Sequence, residues 1–239
     1  MSVLAAATWT EVGYRPLVLV PVGSIEQHGP HLPLDTDAVI AAAVARRVAE
    51  LMNDEVFVAP VMAYTASGEH QDFPGTSSIG AESLSQVIIE LVRSMRTWAD
   101  RIVIVNAHGG NTCALARAVG QLLQEEHDVG WAACATEGID AHAGYTETSL
   151  MLHLQPWAVR RHRAEAGNTT PISELLPALV RDGVRAVAPN GVLGDPTGAN
   201  ANEGARCLET MARDIAAVVR GRPDSRGFLH RTAAADVVG

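Results

Sequence analysis

Two short runs whose interiors hold no polar residue, Leu17–Val22 (LVLVPV) and Arg101–Asn106 (RIVIVN), constrain the fold of this chain more than any other feature. A strand with one wet face alternates polar and apolar residues. A strand that is apolar at every position is buried on both faces, the condition of a central strand in a parallel sheet covered by helices. The segments between the runs agree. Residues 36–52 are rich in Ala, follow the capping pair Asp35-Thr36 and read as a helix. Residues 82–98 set Leu84, Val87, Ile88, Leu91 and Met95 on one helical stripe, and residues 111–126 again read as helix. Residues 56–64 and 129–136 read as further strands. Strand and helix alternate, which predicts an α/β protein: a three-layer α/β/α sandwich with a mostly parallel sheet. Later helices are expected near residues 147–153 and 203–220. Between them, residues 189–202 are rich in Gly, Pro and Asn and read equally well as an ordered site or interface loop or as a mobile surface loop. The length of 239 residues suits one domain, placed at residues 1–221, followed by a weakly ordered tail at 222–239.

Composition narrows the chemistry. With 47% hydrophobic and 19% charged residues the chain can bury a full core. A net charge of -9 argues against nucleic acid or an anionic membrane as partner, since both need clustered cations. All 18 cationic residues are Arg. Without Lys there is no P-loop phosphate ligand and no amine for a Schiff base, so P-loop NTPases and pyridoxal-phosphate enzymes are excluded. The three cysteines, Cys113, Cys134 and Cys207, form no CxxC pair, and residues 1–14 lack the basic start of a signal peptide. No run reaches the length of a membrane span. A cytoplasmic protein is expected.

Three polar clusters follow the predicted strands. Directly after Leu17–Val22 comes GSIEQHGPHLPLDTD, in which Glu26 and His28, two apart in an extended segment, can face one spot, with Asp37 near the start of the next helix. A mixed carboxylate and imidazole set of this kind suits Zn, Fe or Mn. Taken alone, the pair also fits a capped loop with surface acids. The second cluster, Asn106-Ala-His108-Gly-Gly-Asn111, ends the clearest strand and opens a helix, so two strands deliver ligands to the same carboxyl edge of the sheet, where α/β proteins bind substrates. Its paired glycines would also suit an anion at a helix start, but GxGxxG and Lys are both missing. The third, Ala141-His142-Ala-Gly144-Tyr-Thr-Glu147-Thr-Ser149, places a His on a Gly-flanked loop suited to proton transfer and an acid at a helix N-terminus, where the dipole favours one anyway. Neither GxSxG nor HExxH occurs.

The blocks GSIEQHGPHLPLDTD, EHQDFPGTSS, NAHGGN and HAGYTETS resemble, in this order, the four motif blocks of the creatininase family. The resemblance spans about residues 17–149 and implies an α/β/α domain with a mainly parallel sheet, a homo-oligomer of hexamer size or smaller, and one or two divalent metals. It implies Glu26, His28, Asp37 and His108 as ligands, with Asp37 as the bridge. Two divalent ions are expected, zinc and/or iron, with manganese as a third candidate. The chain departs from creatininase proper at Gly110, where that enzyme carries Glu; Glu147 is then the residue to complete the second site. Residues 137–139 offer no Trp to cover a creatinine ring, which argues against creatinine as substrate. Within the family the likeness is strongest to members that trim a modified precursor peptide. That implies hydrolysis of one amide bond, release of a C-terminal cross-linked Val-Tyr unit, and His142, aided by Glu147, as the catalytic group that protonates the leaving amine near neutral pH. A cyclic-amide or formamide hydrolase is the alternative, and a metal-free scaffold subunit a further one, favoured only by Gly110. Glu69 and His70 fit the substrate mouth or, slightly better, a structural role in the loop or a subunit contact.

Overall fold

The computed structural model describes residues 2–13, 15–52, 56–136 and 140–230. Strands β1 (Ser2–Val3), β2 (Leu17–Val22), β3 (Val56–Val58), β4 (Arg101–Asn106) and β5 (Val129–Ala133) form one sheet in the order β1-β3-β2-β4-β5, with every neighbouring pair parallel. The helices are α1 (Trp9–Val12), α2 (Thr36–Leu51), α3 (Ala81–Met95), α4 (Thr112–Gln124), α5 (Tyr145–Leu154), α6 (Ile172–Asp182), α7 (Val184–Val187) and α8 (Ala201–Val218).

The central strands are apolar throughout because each faces two cores. Leu17, Leu19, Val103 and Val105 pack with Val44 and Val48 of α2, Met151 of α5 and Ile215 of α8. Val18, Val20, Ile102 and Ile104 point the other way, onto Leu84 and Ile88 of α3 and Leu115 and Leu122 of α4. Three layers result, as the continuous apolar runs require.

Some boundaries differ from the sequence reading, for physical reasons. The strand expected over 56–64 ends at Val58, because Pro60 has no N–H for the ladder. Ala59 and Met62 instead donate to the carbonyls of Leu19 and Pro21, at 2.9 Å each. This is also why Pro21 is tolerated in a central strand: its missing donor faces the side on which β3 has already ended. Helix α6, with Pro171 at its start and Pro177 inside it, was not expected at all. Helix α8 begins two residues earlier than expected, where the Asn200 side chain accepts the Glu203 N–H at 3.0 Å. Residues 227–229 run beside β5, Trp131 N–H donating to Gly227 O and Leu229 N–H to Trp131 O, each at 2.8 Å. Of the expected tail, residues 231–239 lie outside the described residues, as do residues 137–139.

The order of strands positions the site. From β2 the chain crosses to β3 on one side and later returns to β4 on the other, so the loops leaving β2 and β4 diverge and open a crevice at their carboxyl ends. Gly23, the first residue after β2, lets α2 start against that crevice: a Cβ there would lie 2.4 Å from Ala38 N and 2.6 Å from the Asp37 carbonyl carbon. Gly23→Ala is therefore expected to push back the first turn of α2, at a cost of about 1–3 kcal/mol. Thermal unfolding read by circular dichroism should show a Tm lower by roughly 2–4 °C for each of those kcal/mol; an unchanged Tm would show that the contact is not limiting.

Candidate metal centre

All six residues singled out as site candidates lie at this one edge. Glu26 and His28 sit on the loop after β2, Asp37 in the first turn of α2, His108 just after β4, His142 after β5 and Glu147 in the first turn of α5. Glu26 and His28 are fully buried, Asp37, His108 and His142 nearly so. The buried Asn111 of the NAHGGN block ties the loops together. Its Nδ2 donates to Gly23 O at 3.0 Å and to Asn106 Oδ1 at 3.1 Å, and its Oδ1 accepts Ala66 N–H at 3.1 Å.

Asp37 stands at the middle of the cluster. Its Oδ1 lies 3.1 Å from His28 Nε2 and its Oδ2 lies 3.3 Å from His108 Nδ1, with Ser24 Oγ donating to Oδ2 at 2.8 Å. At the same ring nitrogen of His28, Glu147 Oε2 is 3.8 Å from Nε2. Backbone carbonyls fix the rings. His28 Nδ1–H donates to Glu26 O at 3.1 Å and His108 Nε2–H to Ala66 O at 2.9 Å, which leaves His28 Nε2 and His108 Nδ1 facing the two oxygens of Asp37. Helix α5 enters through a turn in which Ala143 takes φ 54°, a left-handed conformation unusual for a residue with a Cβ; its N–H thereby reaches Glu147 Oε2 at 2.6 Å.

Three imidazoles converge on Glu26. His70 Nε2 lies 3.3 Å and His142 Nδ1 3.6 Å from Oε1, and His108 Nε2 lies 3.2 Å from Oε2, yet neither carboxylate oxygen accepts a directed hydrogen bond. Donors about 2.0–2.2 Å from a common ion stand roughly 3–3.5 Å from one another. Of the three nitrogens, His142 Nδ1 is the one left with a free lone pair, since its Nε2–H is given to Gln27 O, whereas the Nε2–H of His108 is given to Ala66 O. Among the described residues, three trios have donor atoms within 4.8 Å of one another: Glu26, His70 and His142; His28, His142 and Glu147; Glu26, His28 and Asp37. The donor set of carboxylates and imidazoles fits divalent zinc, iron or manganese.

His70 belongs to this cluster more closely than the sequence indicated. It is buried on the 3-10 turn Gly68–His70, and its Nδ1 accepts from Gln27 Nε2 at 2.8 Å. Gln27 also donates to Gly191 O at 3.0 Å, and Leu193 exchanges backbone hydrogen bonds with His142, so residues 191–193 are an ordered part of the site. Gln27 O accepts His142 Nε2–H at 2.8 Å, which leaves His142 Nδ1 bare and turned toward the centre.

The electrostatics reflect buried acids in want of positive charge. Burial opposes charge on His28, but Asp37, with Glu147 and Glu26 beyond it, overrides this and lifts its pKa to about 10. Burial would raise Asp37, yet His28 and His108 hold it well below the usual carboxylate range. Burial and the neighbouring Asp37 raise Glu147 to about 7 against the pull of His28. For His142, burial and the adjacent His28 and His70 push the pKa well down. Where the sequence suggested an imidazole titrating near neutral pH, these surroundings favour the neutral ring.

A cleft of about 700 Å³ opens beside the cluster. His108, His142 and Glu69 line one wall, and Ile172, Leu176 and Val180 of α6 the other.

Comparison with known proteins fits this geometry. The creatininase family, described as creatinine amidohydrolase, matches residues 5–219. The chain is 53% identical over 222 residues to the mycofactocin precursor peptide peptidase of Mycobacterium ulcerans (strain Agy99), covering 90% of this chain and 89% of that one. It is 51% identical over 236 residues to the peptidase of the same name from Mycobacterium tuberculosis (strain CDC 1551 / Oshkosh), covering 95% and 94%. A crystal structure of creatinine amidohydrolase superposes with a TM-score of 0.74 at 26% identity, over 90% of this chain and 95% of that one. Similar structures include a creatininase variant of Zn-Zn type, with TM-score 0.73 and 26% identity over 91% and 96%, and a manganese form, with TM-score 0.72 and 27% identity over 91% and 97%.

Because Asp37 turns one oxygen toward His28 and the other toward His108, Asp37→Ala is expected to lower the metal content of the protein further than Glu147→Gln does. Metal analysis of the purified variants checks this; an unchanged metal content in Asp37→Ala would rule Asp37 out as a ligand.

Proposed function

The chain belongs to the creatininase family, and from that premise we propose that it is a divalent-metal-dependent peptidase that hydrolyses one amide bond of the mycofactocin precursor peptide and releases its C-terminal cross-linked Val-Tyr unit. The observation that carries this reading is the cleft, whose polar wall presents the imidazoles of the cluster while its other wall is the apolar face of α6. A peptide end bearing Val and Tyr side chains can lie along α6 with its amide against the cluster. The identity with the two mycobacterial peptidases supports the substrate. A small cyclic amide or formamide would leave most of the apolar wall unused, so that alternative is the weaker one.

We assign one ion to Glu26, Asp37 and His108 and the second to His28, Asp37 and Glu147. Bound there, the pair supplies Lewis-acid polarisation of the amide carbonyl and a water acidic enough to attack near neutral pH. The protein moves the proton. Gln27 O holds the Nε2–H of His142, so Nδ1 is the free base. Neutral His142 takes at Nδ1 the proton that the attacking water gives up, then delivers it to the amide nitrogen as the C–N bond breaks. Glu147 holds the Ala143 N–H and with it the turn that carries His142. Water is kept from the rest of the cluster by its burial beneath the loops from β2, β3 and β4.

Among the described residues no helix is long and apolar enough to cross a membrane. A cytoplasmic location, absence of nucleic acid and membrane partners, and a homo-oligomer of hexamer size or smaller complete the reading.

Two outcomes are expected. Metal-loaded protein incubated with the modified precursor peptide should release the Val-Tyr unit, detected by mass spectrometry; an intact peptide overturns the substrate assignment. His142→Ala should keep both ions while turnover falls by about 10²–10⁴-fold. Loss of an ion in that variant would make His142 a ligand instead of a proton carrier.

A further inference from the structure

Glu69 is not used in this account, yet it reaches the edge of the centre. From the 3-10 turn Gly68–His70 its Oε1 comes within 3.3 Å of His108 Nε2, the ring edge that also faces Ala66 O, while 31% of its side chain remains exposed toward the cleft. The route is open because residue 110 has no side chain. A Cβ at Gly110 would fall 2.1 Å from Glu69 Oε1, 2.4 Å from His108 Nε2 and 2.7 Å from Ala66 O. Three groups therefore meet in a notch that any other residue at 110 would fill. Gly110 has a negative φ, so the need for glycine is one of space and not of backbone conformation.

The charge arrangement gives the contact a purpose. His108 presents Nδ1 to Asp37, and a metal-binding imidazole is a better ligand when its other nitrogen leans on a carboxylate that orients the ring and raises its basicity. Close by, Glu26 is fully buried with both oxygens lacking a directed hydrogen bond, which marks this side of the cluster as the place where a cation is needed. Resting on the metal-centre reading above, we propose that Glu69 is a positioning carboxylate: from outside the donor set it holds the Nε2 edge of His108, and Gly110 is the notch that admits it. It strengthens the ion shared by Glu26, Asp37 and His108 and leaves the ion beside His28 unaffected.

The test is calorimetric titration of the metal-free full-length chain with Mn²⁺, for the natural sequence and for Glu69→Gln, which keeps the shape and removes the charge. Two binding events are expected in the natural chain. In Glu69→Gln one of them should weaken about 10–100-fold while the other is unchanged. Glu69→Asp, which keeps the charge but shortens its reach, should fall between the two. Equal Mn²⁺ affinities in all three proteins overturn the proposal, whether Glu69→Gln then shows only a lower Tm, the sign of a loop brace, or only a higher KM, the sign of a substrate contact. A natural chain that takes up no Mn²⁺ overturns the metal-centre reading and this one with it. Two unchanged events in Glu69→Gln overturn this one alone.

Discussion

A carboxylate with no solvent exposure and no directed hydrogen bond is costly to bury unless a cation lies beside it, and Glu26 is such a group. The rest of the site is arranged around that requirement. Asp37 adds a second buried acid and the half-buried Glu147 stands beside it, while imidazoles from four separate loops surround them. A proton on His28 offsets part of this charge, which is why its pKa rises to about 10 despite burial. Divalent cations would offset it more completely.

The sheet makes the convergence possible. Because β2 and β4 are adjacent while their crossovers go to opposite sides, their carboxyl ends share a crevice into which the loops after β3 and β5 also fold. Asn111 then links the loops after β2, β3 and β4 by hydrogen bonds to Gly23, Ala66 and Asn106. The same loops shape the cleft, so the residues that hold charge and those that would hold an apolar peptide end belong to one rigid frame. Helix α6 contributes the apolar wall from outside the three layers.

Much of this was legible in the residues. The apolar runs Leu17–Val22 and Arg101–Asn106 announced buried parallel strands, and the polar clusters directly after them placed Glu26, His28, Asp37 and His108 at one edge. Other features were hidden for definite reasons. Gln27 lies between Glu26 and His28, so strand alternation points it away from them, yet a loop is not bound by that alternation and Gln27 orients both His70 and His142. His70 and Glu69 come from a Gly- and Pro-containing loop whose path no periodicity describes. Gly110 read as a missing donor; in space it is room occupied by Glu69. The lowered pKa of His142 was invisible because it depends on burial and on His28 and His70, which are remote in sequence.

The central claim is that the buried acids share two cations through Asp37. Anomalous diffraction from crystals of the protein purified without chelator, recorded on both sides of the zinc, iron and manganese edges, tests it most directly. The account predicts two peaks per chain, one bordered by His28, Asp37 and Glu147 and the other by Glu26, Asp37 and His108. A map with no peak beside Glu26, its oxygens instead hydrogen-bonded to water or to a protonated imidazole, would contradict it.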